Sequence, residues 1–502
     1  MTHAGFLRRA CIGSVAALWA LAALTAATAY AADDAVTLAI RLHEKRHYED
    51  AARTLRPALS SLAPARQGAA YLTLGIIYLR NAELHHELHR VGIAVQLGYL
   101  KKLVAARGRD GSRFADLYLG EALLESGSPG EAAKHLEQFM AQAAVGPRYK
   151  AIARASLGLS HFQRQEVRKA QALWAGIDTA DPEVKAELAA VYSAAGLQDK
   201  NPVAMSDAAL KDSGLGPSPR MRRNLLRVYA SAGLTDKGLD LLSQADLKTA
   251  SYAEVLGKTK TINFYDLSLL ADLAMLYGQA SLAYLEKVAG DARLKGTADY
   301  YLGEAHANAG SVEPSLRAVG AFLSLAEAPP QYRDRARVRQ AANEYRRGQR
   351  AEAMAAWDAL AQRQPADPDL LAETILACVQ VKADCPKIEP RAALAAETGR
   401  GKAFSLLNFA LGRYHLWKKD YAKAISYMEA GRDKSNKNKI EANDPVLLVS
   451  LAEAYYRTKQ FSESLEIYFE MSKQFPVVRQ IQEALQGVYS IEHKSAGDVK
   501  IF

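Results

Sequence analysis

The chain has 502 residues, 49% of them hydrophobic, and 64 lysines and arginines against 55 acidic residues give it a formal charge of +9. Alanine and leucine abound, there are 17 prolines, and runs that alternate polar and β-branched residues with period two are nearly absent. That pattern excludes a β-barrel and predicts an all-α chain, either several helical domains or one long solenoid whose stacked units escape the size limit of a single core.

The first residues read as an export signal. Arg8 and Arg9 precede a small-and-apolar run from Ile12 to Ala29, and Ala29-Tyr30-Ala31 supplies a small-x-small cleavage site before Ala32. A retained membrane anchor is the competing reading; Asp33-Asp34, directly after the run, favour cleavage. Cys11 lies beside the arginines, before the apolar run, where lipid attachment would not place it. Loss of residues 1–31 removes two arginines and no acid, so +9 becomes +7. It leaves two cysteines, Cys378 and Cys385, whose closeness in an exported chain invites a disulfide, with two buried thiols as the alternative. No later segment has the apolar length to span a bilayer, and the chain is expected in the periplasm.

Further along, Tyr48-Ala51-Leu55-Ala58 and Leu74-Gly75-Tyr78 are weak copies of a pattern that becomes clear later. Between Glu83 and His89 stand His85, His86 and His89. On a helix His85 and His89 share a face and would suit Zn²⁺ or Cu²⁺, the basis for a metal-binding or enzymatic reading. The spacing is not His-Glu-x-x-His, and the expectation is a polar outer helix face, with no metal and no cofactor.

Counted in units of 34, the pattern places Leu-Gly or Leu-Ala at positions 7 and 8, an aromatic or His at 11, Ala or Ser at 20, a large apolar residue at 24 and Pro near 32. The unit from Arg113 gives Leu119, Gly120, Leu123, Ala132 and Leu136; that from Ala151 gives Leu157, Gly158, His161, Ala170, Trp174 and Pro182. Tyr229-Gly233, Leu302-Gly303-Gly310 and Ala353-Trp357-Leu360-Pro365 are worn copies. Leu411, Gly412, Tyr421, Ala424 and Met428 form a good one, and the unit from Pro445 gives Leu451, Ala452, Tyr455, Ser464, Tyr468 and Pro476. Small residues at 8 and 20 let two helices cross closely, large residues fill the surrounding space, and Pro stops the second helix. Glycines such as Gly127, Gly196, Gly233 and Gly310 end first helices in left-handed caps.

Several such copies at 34- to 40-residue spacing resemble the tetratricopeptide-repeat (TPR) family over most of residues 35–480. The resemblance implies a right-handed α-solenoid: repeats at 32–197, degenerate repeats at 223–385 and repeats at 403–490. The stretches 198–222 and 386–402 read as irregular linkers, 246–262 fits no unit, and 491–502 is a tail. It also implies that first helices line a concave groove through positions 2, 5, 9 and 12. Carried onto the good units, these are Phe114, Leu117, Glu121 and Leu124; Ile152, Ala155, Leu159 and Phe162; Leu406, Phe409, Arg413 and Leu416; and Val446, Val449, Glu453 and Tyr456. So apolar a lining takes a helix or peptide from a partner, or is filled by the superhelix itself. The Lys and Asn set with which some relatives grip a terminal carboxylate is missing.

The remaining charge gathers in Arg333, Arg335, Arg337, Arg339, Arg346, Arg347 and Arg350, spaced around a helix. In an exported protein such a basic patch suggests acidic proteins, anionic polysaccharide or phospholipid head groups rather than nucleic acid, with a solvated helix surface as the plain reading. No glycine-rich phosphate loop or Gly-x-Ser-x-Gly elbow occurs, so no enzyme is expected. The sequence therefore predicts a non-catalytic scaffold that binds other envelope proteins, with polysaccharide binding as the alternative.

Overall fold

A computed structural model describes residues 35–105, 114–243 and 264–493, apart from 215, 327, 329, 364–365, 399–403, 433–442 and 476–477. The export signal, the stretch 246–262 and the tail 494–502 lie outside them. The fold is all-α, and no strand occurs among the described residues. In chain order the helices are α1 (Ala35–Glu44), α2 (Tyr48–Ala58), α3 (Pro64–Ala105), α4 (Ala115–Glu125), α5 (Pro129–Met140), α6 (Pro147–Gln163), α7 (Val167–Ala175) and α8 (Pro182–Ala194). Then come α9 (Pro202–Asp212), α10 (Pro219–Ser231), α11 (Thr235–Ser243), α12 (Phe264–Glu286), α13 (Lys295–Asn308), α14 (Val312–Leu323), α15 (Pro330–Arg346) and α16 (Arg350–Ala361). The last are α17 (Pro368–Gln380), α18 (Ile388–Thr398), α19 (Ser405–Trp417), α20 (Tyr421–Gly431), α21 (Pro445–Arg457), α22 (Phe461–Gln474) and α23 (Val478–His493).

Helices pair as antiparallel hairpins, and one turn joins every pair. At Arg46, Gly127, Gln165, Gly196, Gly233, Gly310, Gly348, Lys382, Lys419 and Lys459 the backbone has positive φ. Each of these residues donates its N–H three residues back, and its successor donates five back, as Gly127 does to Leu124 and Ser128 to Leu123. This Schellman arrangement satisfies the carbonyls that a helix end leaves free. The anticipated caps at Gly127, Gly196, Gly233 and Gly310 are all present.

Helix starts are equally stereotyped. Asp181, Asp367 and Asp444 each cap a helix whose first residue is proline, and their carboxylates accept backbone N–H bonds of 2.8–3.4 Å. Pro182 thus opens α8; the expectation that it stops the preceding helix is corrected.

Inside each hairpin the small residue of the first helix meets the large residue sixteen positions on. A Cβ built on Gly120 would stand 2.6 Å from Leu136, and one on Gly303 2.6 Å from Val319; Gly158 against Trp174 and Gly412 against Met428 are as close. Ser315 and Ser464, at position 20, donate to the carbonyls of Gly303 (2.5 Å) and Ala452 (2.8 Å). The buried indoles of Trp174 and Trp357 donate to Ala155 (3.1 Å) and Val338 (3.0 Å), which satisfies the one polar atom of each ring.

The hairpins belong to two compact units. One comprises the described residues up to Glu83 together with Ala280–Ser464; the other comprises Leu84–Gln279 together with those from Leu465 onward. This differs from consecutive blocks at 32–197, 223–385 and 403–490, because α3 and α12 interrupt the array. Leu74-Gly75-Tyr78 is no repeat unit: it lies within the 42-residue α3, and Gly75 packs against Leu285 of α12.

The two expected linkers are helical as well. Residues 198–222 contain all of α9 and the start of α10, and 386–402 contains α18. In the other hairpins the second helix begins two residues after the left-handed residue. In α8–α9 and α17–α18 it begins six after, following Gly196 and Lys382. Four inserted residues, 198–201 and 384–387, push each second helix out of the 34-residue frame.

Gly158→Ala is expected to destabilise the chain by about 2–3 kcal/mol, because its methyl group must displace Trp174. Gly130→Ala, in helix α5 with nothing within 4 Å of the added carbon, is expected to be neutral or slightly stabilising. Urea unfolding of the two variants checks this; equal midpoints would contradict the crossing argument.

Candidate functional site

In α4 and α6 the groove positions are filled from within their own unit. Phe114, Leu117, Leu124, Ile152, Ala155 and Leu159 are buried. Phe114 stacks edge-on against Tyr149 at 4.8 Å, and half-buried Phe162 lies 5.9 Å from Trp174.

Glu121 explains what covers this face. Its carboxylate pairs with Arg220 of α10, 99 residues away, and Arg220 also bonds Glu187 of α8 at 2.8 Å. Asn224 donates to the same Glu187 at 2.9 Å, with Arg223 3.7 Å off. One turn further along α10, Arg227 bridges Glu125 of α4 (2.9 Å) and Asp272 of α12 (3.2 Å). Arg220 is only 2% exposed. Burial works against ionisation of Glu187, yet Arg220, Arg223 and the Asn224 amide hold its pKa below the usual carboxylate range. Burial pushes Glu121 the other way, against the pull of Arg220 and Arg223 and with the nearby Glu187 charge adding to it. Burial also raises Asp272, despite Arg227.

Sequence reasoning missed Arg220, Arg223 and Arg227. They stand at i, i+3 and i+7 of Pro219-Arg-Met-Arg-Arg-Asn-Leu-Leu-Arg227, which are positions 2, 5 and 9 of a first helix. The signal was present, but the start of α10 fell within the stretch read as a linker.

The C-terminal hairpins differ. On α19, Leu406, Arg413 and Leu416 are half-buried while Phe409 is buried, and the Arg413 guanidinium lies 5.9 Å from the Phe409 ring centre. On α21, Val446 and Tyr456 are half-buried, Val449 is inside, and Glu453 pairs with Arg457 at 3.3 Å. These two helices present a partly open apolar strip with one cation in it.

The basic patch disperses. Arg335 faces Asp369 (3.6 Å) and Glu373 (3.8 Å), Arg339 faces Glu304 (3.3 Å), Arg337 faces Asp334 (3.5 Å), and Arg347 faces Glu313 (3.1 Å). Arg333 donates to the carbonyls of Leu325 and Ala326, and Arg346 donates to that of Ala307. Arg350 lies over the Tyr345 ring. Burial would raise Glu304, but Arg80 and Arg339 bring it down to about 2. Six of these arginines thus meet acids or carbonyls of their own or neighbouring elements, while, among the described residues, exposed Arg350 meets only the Tyr345 ring.

The histidines also depart from expectation. His85 is buried, edge-on to Tyr277 at 5.1 Å, rather than on a polar outer face. His86 is exposed, and burial lowers the pKa of His89. Among the described residues no group of three or more His, Cys, Asp or Glu side chains is placed to hold a metal.

Cys378 and Cys385 form a disulfide with Cα atoms 6.4 Å apart, and both are buried. The bond joins α17 to Cys385, one of the inserted residues 384–387 of the α17–α18 turn. The Cys385 carbonyl accepts from Ile388 and Glu389, which starts α18. Its N–H donates to the Tyr414 hydroxyl at 3.3 Å, and that hydroxyl donates to Asp384 at 2.5 Å. The pair thus ties α18 to the next hairpin.

No protein-family model matches the chain, and no curated protein matches it. Solved structures that it resembles include yeast Tom70 (11% identity, 92% of this chain and 95% of that one, TM-score 0.31) and the APC/C hetero-tetramer Cut9–Hcn1 (13%, 90% and 89%, 0.28). The TPR domain of P58(IPK) is another, at 11% identity, 77% and 99% coverage and a TM-score of 0.20. These likenesses add nothing to what the helix pairs themselves establish, a TPR-like all-α repeat fold.

Arg220→Ala is expected to cost about 3–5 kcal/mol, since it leaves Glu187 buried beside fewer cations. Thermal unfolding at pH 7 measures this, and a loss below 1 kcal/mol would mean the network contributes little. Replacing both cysteines by serine is expected to cost about 2–3 kcal/mol, from loop entropy returned to the unfolded chain. Non-reducing mass spectrometry and urea unfolding check the bond and its effect separately.

Proposed function

We propose that this chain is a non-catalytic protein-interaction scaffold, exported to the periplasm, that helps assemble a cell-envelope complex. The observation that carries the reading is the partly open strip on α19 and α21, formed by Leu406, Arg413, Leu416, Val446 and Tyr456 on an array of hairpins with one repeated geometry. Stacked helix pairs expose long continuous faces, and a half-buried apolar strip with a single cation suits an amphipathic helix or extended peptide. The disulfide supports export, because such bonds persist in oxidising compartments. Among the described residues no helix is long and apolar enough to cross a membrane.

A photo-crosslinking residue at position 416 is expected to give discrete adducts with envelope proteins, and one at position 134, on α5 of the other unit, is not. Adducts from neither position, or a chain that remains in the cytosol, would sink the reading.

A further inference from the structure

We infer that the hairpin turns of α15–α16, α17–α18, α19–α20 and α21–α22 form a binding edge for a sparse linear polyanion, a polysaccharide carrying uronic acids. The inference stands apart from the protein-binding strip and uses a different face.

Two observations carry it. The first is backbone conformation. Lys382, Lys419 and Lys459 occupy the left-handed position of three successive hairpins, at φ of 56°, 63° and 62°. Five other hairpins place glycine there, where no Cβ opposes that conformation. Arg46 and Gln165 hold the same conformation in two further hairpins, so the turn accepts a side chain, and three successive lysines set a charge at the same place each time. The second is charge. All three lysines are exposed, as is Arg350, two residues past the left-handed Gly348 of the preceding hairpin. Among the described residues no carboxylate pairs with any of the four, whereas most arginines of α15 are matched to acids or carbonyls.

Repetition places these cations in a row. First helices α15 and α17, α17 and α19, and α19 and α21 pack against one another, and each ends in the same turn. The four turns therefore share one edge, with one unpaired cation per hairpin at intervals of about 10 Å, the spacing of packed helices. The chemistry narrows the ligand. Among the described residues none of the exposed large apolar side chains (Val167, Met275, Leu394, Phe469) belongs to these turns, so the edge carries no apolar side chain to insert into a bilayer. Duplex nucleic acid carries a charge about every 1.7 Å, far denser than this ladder matches. A linear acidic polysaccharide offers spaced carboxylates, and its partly apolar sugar faces suit the half-buried Tyr345 and Trp417 rings beside Arg350 and Lys418.

The test uses the full exported chain, a fluorescent polyuronate oligomer and anisotropy at 20 and 200 mM salt. Lys382, Lys419 and Lys459 are replaced together by glycine, which fits the left-handed turns and so leaves the fold intact. The control replaces exposed Lys134, Lys200 and Lys211 by glutamine, for the same loss of charge. The parent is expected to bind more weakly at high salt, the glycine variant to lose at least about tenfold in affinity at low salt, and the control to bind like the parent. Equal loss in both variants, no loss in the glycine variant, or no binding by the parent at 20 mM salt overturns the inference. So does tighter binding, through the same lysines, of duplex DNA or anionic vesicles.

Discussion

The close crossing of two helices at a small residue is the constraint on which the rest of this structure depends. Gly158 beneath Trp174, Gly412 beneath Met428 and Gly120 beneath Leu136 bring backbones close enough for the large side chain to seal the hairpin. Once sealed, a hairpin has one geometry, and its turn can be closed by the same pair of backbone hydrogen bonds throughout. Stacking then follows, because each first helix presents the same positions to the next.

What the crossing does not fix is which charges fill the inner face. In α4, α8 and α10 the inner positions carry acids and arginines that meet across hairpins far apart in sequence. Desolvating such groups is costly unless each is matched, and here one arginine serves two carboxylates at a time. That face is satisfied internally. The strip on α19 and α21, with apolar side chains and one arginine, is left partly open.

The repeat was legible because its information is local: small residues twelve apart and a large one sixteen on. The disulfide was legible for a similar reason, two cysteines seven residues apart. Matters of register and distance were hidden. Four residues inserted at 198–201 and at 384–387 leave each helix intact but break the count, so α9 and α18 looked like linkers. Leu74-Gly75-Tyr78 matches the pattern locally, yet its partner is Leu285, which no period of 34 would select. His85 looked like part of a polar outer face because His86, Glu87 and His89 stand beside it, and its burial depends on Tyr277, far along the chain. The arginines of α15 looked like a patch because pairing with Glu304, Asp369 and Glu373 depends on neighbours far along the chain.

The two insertions close in different ways. After Gly196 the extra residues wind into a short 3₁₀ turn, Gln198–Lys200, and Asn201 adopts φ of 49° to start α9. That solution needs only backbone hydrogen bonds and holds in any compartment. After Lys382 the same length is closed by a covalent bond from Cys378, which occupies position 11, where His161, Tyr192, Tyr229, His415 and Tyr455 stand in other hairpins. A single thiol side chain is too small to fill the place of an aromatic ring, whereas two joined cysteines fill it together. The α17–α18 hairpin is thus completed by oxidation, and its packing against Tyr414 of α19 follows from that bond. A hairpin built this way depends on a covalent bond where its neighbours depend on a single ring.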